Sequence, residues 1–126
     1  MATALVVEDD ARSQKLACTV LELHGFTVLS ARTGADALAL AAQQPPDVIL
    51  MDIQLRGDGE DGLSVLAKLR SDPDTAHIPV VAITAFAMKG DEERFIAHGF
   101  SGYVSKPIDT HSFADVVSSF LREPEV

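Results

Sequence analysis

Short apolar runs punctuate the chain: TALVV at 3–7, TVLSA at 27–31, DVILM at 47–51, VVAIT at 80–84 and GYVS at 102–105. Most are rich in Val, Ile or Leu and lack the alternation of a half-buried strand. That suits strands covered on both faces of a parallel sheet. Helical patterns separate them. The first covers 11–24, starts after the N-cap candidate Asp10 and halts at Gly25, a C′ residue. The second, 34–43, follows Thr33 and stops before Pro45 and Pro46, and the third, 61–71, stops before Pro73. The fourth, 91–98, opens on the acidic DEE that a helix N-terminus favours and ends at Gly99. The fifth, 110–121, starts at Thr110 and closes with Arg122.

The order βαβαβαβαβα, with right-handed crossovers, predicts an α/β fold. It is a doubly wound five-stranded parallel sheet of flavodoxin-like strand order 2-1-3-4-5, with helices on both sides. Sites in such sheets form beyond the carboxyl ends of the strands, where strands 1 and 3 part. In this chain that edge collects chemistry. Strand 1 runs into Glu8, Asp9 and Asp10, strand 3 into Asp52, strand 4 ends at Thr84, and Lys106–Pro107 follows strand 5. Each has a bland reading alone: Asp10 as a helix cap, Glu8 and Asp9 as solvated acids, Thr84 as a turn former, Lys106 as a surface lysine. Together, carboxylates crowded at one edge perturb one another's pKa or attract a cation. An all-oxygen set suits Mg²⁺, with Mn²⁺ as the alternative. No histidine pair has the spacing of a zinc site.

Composition narrows the class. The chain has 126 residues, which fits one domain, expected over 1–122 with a tail at 123–126. Hydrophobic residues make up 47% and charged residues 23%, as in globular proteins. No apolar run approaches the roughly 20 residues that span a bilayer. The N-terminus turns acidic too early for a signal peptide, so a cytoplasmic location without membrane insertion is expected. The formal net charge of −9 argues against direct nucleic-acid binding, which needs a basic surface, and suits cations and basic partner surfaces. The single cysteine, Cys18, excludes an internal disulfide and reads as a small core residue.

The segments LVVEDD, VILMDIQL, VVAITA and GYVSKPI stand in order over nearly the whole chain. Together they resemble the receiver domain of two-component response regulators, which are CheY-like, and most of all the small single-domain regulators of the DivK type. The resemblance implies a phosphoprotein without an output domain, which catalyses only its own phosphorylation and dephosphorylation. Asp52 would be the phosphoacceptor. Asp9 and Asp52 would ligate Mg²⁺, with the backbone carbonyl of Gln54 and, through water, Glu8. Thr84 would hydrogen-bond the phosphoryl group and Lys106 would pair with it. Thr84 and Tyr103 would form the switch, and the bond before Pro107 would be cis. The implied partners are a histidine kinase or a histidine phosphotransfer protein, and a downstream effector protein met on the face of helix 4, strand 5 and helix 5. A monomer or weak homodimer is expected.

The chain departs from that pattern after Asp52. Arg56 stands where a receiver usually has proline, and the segment carrying Asp58, Glu60 and Asp61 is about two residues longer before Gly62. Gln54 and Phe86 flank the route of an attacking water. Three rivals are weaker. A phosphatase of the haloacid dehalogenase kind needs a second aspartate where Gln54 stands. A flavin site needs hydroxyls and glycines where EDDARS would repel phosphate. A pseudo-receiver would not retain the acids, Thr84 and Lys106 together.

Overall fold

A computed structural model of the chain describes residues 2–53, 62–84, 91–105 and 108–121, apart from the side chains at 91, 92 and 95. Five parallel strands, β1 (Thr3–Val7), β2 (Thr27–Ala31), β3 (Val48–Asp52), β4 (Val80–Thr84) and β5 (Gly102–Ser105), form one sheet of order β2-β1-β3-β4-β5. The helices are α1 (Ala11–Leu23), α2 (Gly34–Gln43), α3 (Gly62–Ser71), α4 (Asp91–His98) and α5 (Phe113–Ser119).

The unbroken apolar runs have the cause that their pattern implies. Along β1, Leu5 and Val7 pack on one side with Ala37 and Ala41 of α2 and Val65, Leu66 and Leu69 of α3. Ala4 and Val6 pack on the other with Ala17, Val20 and Leu21 of α1 and Phe113 and Val117 of α5. Both faces of β1, β3 and β4 are therefore dry, whereas the edge strands β2 and β5 keep exposed positions. Burying this apolar surface is the main force holding the layers together.

The caps expected for the first two helices are present. The Asp10 carboxylate accepts from the Ser13 N–H, and the Thr33 hydroxyl accepts from the Asp36 N–H. Gly25 follows α1 at φ +91°, and Gly99 follows α4 at φ +110°, backbone angles that side chains beyond glycine resist.

Three elements differ from expectation: α1, which ends at Leu23 and not at 24, β3 and α5. β3 starts and ends one residue later than DVILM, so Asp52 itself lies in the ladder, beside Ile83. α5 starts at Phe113, not Thr110. Asp109 uses the chain first: its carboxylate accepts from the His111 N–H, and its carbonyl accepts from the N–H groups of Ser112 and Phe113. A closed turn therefore occupies 109–112. The His111 N–H first, and then the Ser112 side chain, hold the Asp109 carboxyl below its ordinary pKa range. The helix also ends earlier than expected, at Ser119 and not at 121, and Arg122, expected to close it, lies outside the described residues.

Arg70, at the end of α3, ties down the floor of the sheet. Its guanidinium donates to the carbonyls of Gly99 (2.9 and 3.2 Å), Ala76 (3.0 Å) and Ile78 (2.6 Å). One planar donor group thus joins α3, the turn before β4 and the end of α4. Replacing Arg70 by alanine strips donors from three carbonyls, and a loss of about 2 kcal/mol in urea unfolding is expected. Unchanged stability would mean that water takes over those carbonyls without cost.

Candidate functional site

The parallel register brings the acids together. Val7 of β1 pairs with Met51 of β3, so the next residues, Glu8 and Asp52, emerge side by side. Asp52 in turn lies next to Ile83 of β4, so Thr84 emerges one residue farther along the same edge. Glu8 is 3% exposed and Asp52 and Thr84 are 4% exposed, whereas Asp9 is partly open. Carboxylate oxygens of Glu8, Asp9 and Asp52 all lie within 4.8 Å of one another. Buried acids this close are expensive unless positive charge or hydrogen bonds offset them.

The loop that carries two of them is held along its backbone. The Glu8 N–H continues the ladder to the Ala31 carbonyl at 3.0 Å. The Asp10 N–H donates to Glu8 Oε1 at 3.2 Å. Gln14, in the second turn of α1, sends its side-chain amide back to the Ala31 carbonyl at 2.9 Å and the Glu8 carbonyl at 3.3 Å. The Arg32 guanidinium reaches the Asp9 carbonyl at 3.4 Å. On the β3 side, the Ile53 N–H donates to the Ile83 carbonyl at 3.2 Å, and the Gly62 N–H to the Ile53 carbonyl at 3.3 Å. Gly62 presses so closely here that a β-carbon would stand 2.9 Å from both the Asp52 carbonyl oxygen and Ile53 Cα.

Of the residues singled out in the sequence, Glu8, Asp9, Asp52 and Thr84 share this edge. Tyr103 lies on β5 beside Ala82, half-buried against the core on the α2–α3 side. An open groove of about 490 Å³ separates β5 from α5, with Tyr103, Ser105, Asp109 and Val116 on its walls. Gln54, Phe86, Lys106, Pro107 and the 56–61 segment lie outside the described residues. Gln14, Arg32 and Gly62 are neighbours of the site that motif reading passes over. A glutamine in a polar helical turn carries no signal until the register shows what it faces.

The donor set is all carboxylate, which fits a hard divalent cation such as Mg²⁺ better than a metal that prefers nitrogen or sulfur. Among the described residues no helix is long and apolar enough to cross a membrane.

The family model of the response regulator receiver domain matches residues 4–118. The polar-differentiation response regulator DivK of Brucella ovis is 44% identical over 121 residues, which cover 96% of this chain and 97% of that protein. The chemotaxis response regulator CheY4 of Vibrio cholerae superimposes with a TM-score of 0.88 at 23% identity, over 96% of this chain and 99% of that one. The receiver domain of NtrX from Brucella abortus gives 0.85 at 25% identity, over 94% and 97%.

Proposed function

The chain belongs to the response regulator receiver domain family, and on that premise we propose that Asp52 is its phosphoacceptor in a two-component system or phosphorelay. What supports this reading is one observation: Asp52 lies buried at the tip of β3, with Glu8 and Asp9 on one side and Thr84 on the other. A phosphoacceptor needs such a place, rigid and flanked by groups that can gather a cation.

Asp9 and Asp52 would hold Mg²⁺, or Mn²⁺ in its place, directly, with the Gln54 carbonyl and, through water, Glu8 completing the set. When bound, the ion supplies positive charge that offsets the acids and the incoming phosphoryl group. An Asp52 carboxylate oxygen attacks phosphorus in line with the leaving atom. As the new P–O bond forms, the P–N bond of a phosphohistidine breaks and imidazole leaves. Lys106 pairs with the phosphoryl oxygens, and the Thr84 hydroxyl donates to one of them. Thr84 then draws inward and leaves room for Tyr103 to turn in. That remodels the face built by α4, β5 and α5, where a downstream effector protein docks.

The donor is a histidine kinase or a histidine phosphotransfer protein. Working in the cytoplasm and without direct nucleic-acid contact, the receiver domain passes its signal on through protein contacts. The test is intact mass after incubation with a small acyl phosphate. With Mg²⁺ the protein gains one phosphoryl group, and with EDTA it gains none. No gain with Mg²⁺ present overturns the proposal.

A further inference from the structure

We propose that Gln14 is a positioning residue for the acid pair, setting how tightly the site takes a divalent cation. This rests on the reading of Glu8, Asp9 and Asp52 as the cation site.

Carbonyls along the acid loop are held from outside it, and Gln14 holds both ends. Its backbone N–H donates to the Asp10 carbonyl at 2.9 Å, and its side-chain amide donates to the Glu8 carbonyl at 3.3 Å. Asp9 hangs between these two anchors, its own carbonyl met by Arg32. The second amide hydrogen of Gln14 reaches the Ala31 carbonyl, which also takes the Glu8 N–H. One half-buried side chain therefore ties the start of α1 to the ends of β1 and β2.

The geometry calls for a double donor of this length. A carboxylate at position 14 would face two carbonyl oxygens with lone pairs against lone pairs. A hydrocarbon would leave both oxygens without this donor. An asparagine is one methylene too short to bridge them. Negative charge raises the stakes, because Glu8, Asp9 and Asp52 repel one another and the loop relaxes outward unless its peptide planes are fixed. Support of this kind, behind the ligands, commonly decides metal affinity.

The test is Mg²⁺ titration by calorimetry, with Mn²⁺ binding followed by electron paramagnetic resonance. Gln14→Leu is expected to weaken binding about tenfold, and Gln14→Asn by less. Phosphorylation from acyl phosphate should then need more Mg²⁺ but reach the wild-type rate at saturation. A melting temperature in EDTA close to wild type shows that the variant is folded. Wild-type affinity in a folded Gln14→Leu overturns the inference, as does a lower plateau rate with an unchanged Mg²⁺ requirement. Should the leucine variant not fold, Gln14→Asn decides alone. Absence of Mg²⁺ binding by the wild-type protein instead refutes the cation site itself.

Discussion

Asp52→Asn yields a folded protein that takes up no phosphoryl group from acyl phosphate and Mg²⁺, and that melts higher than wild type in EDTA. The two effects share one cause. The amide is no nucleophile toward phosphorus, so the loss is complete. It also removes one of three clustered negative charges. At a spacing of about 5 Å and an effective dielectric of about 20, each like-charged pair costs about 3 kcal/mol. The partners that Glu8, Asp9 and Asp52 already have return much of that, so a net gain of about 1 kcal/mol is expected. Intact mass and urea unfolding in EDTA measure the two effects. Phosphoryl gain by the variant would move the acceptor elsewhere, and a clear loss of stability would make the Asp52 carboxylate a support of the fold.

Gly62→Ala should do damage in both respects. The added methyl meets the Asp52 carbonyl and Ile53 Cα, both of them backbone atoms, and neither can swing aside as a side-chain tip would. Overpacking of this kind costs about 1–3 kcal/mol. Relief by pushing back the end of β3 would misplace the acceptor, and a shift of about 1 Å lowers the phosphorylation rate about a hundredfold. Gly25→Ala is the matched control. It meets nothing within 4 Å but stands at φ +91°, so it should lose stability and keep the wild-type rate. Equal rates for wild type and Gly62→Ala would show that the close approach has no bearing on Asp52.

Architecture was legible because the forces that set it act locally. Buried parallel strands demand unbroken runs such as VVAIT, and caps such as Asp10 and Thr33 mark where helices begin. The acid cluster was legible because a parallel sheet places strand tips on one edge, so the strand order alone pairs Glu8 with Asp52. What escaped were side chains whose partners are backbone atoms far along the chain. Arg70 reads as one more charged residue of a helix until the carbonyls of Ala76, Ile78 and Gly99 converge on it. Gln14 is silent for the same reason. The start of α5 was misplaced because Thr110 and Asp109 are both good helix starters, and the Asp109 turn prevails by local hydrogen bonds that composition does not rank.

The arrangement of the strand tips bears on how the protein comes to exist as well as on what it does. Glu8 and Asp9 follow the first strand, Asp52 ends the third and Thr84 the fourth, so no single βα unit contains the whole site. Its assembly waits on distant pairings that carry a loop-closure cost and are among the slower events of folding. A divalent ion that binds there rewards the pairing of β1 with β3. It deepens the native basin by mass action and gives nothing to chains in which those two strands are still apart.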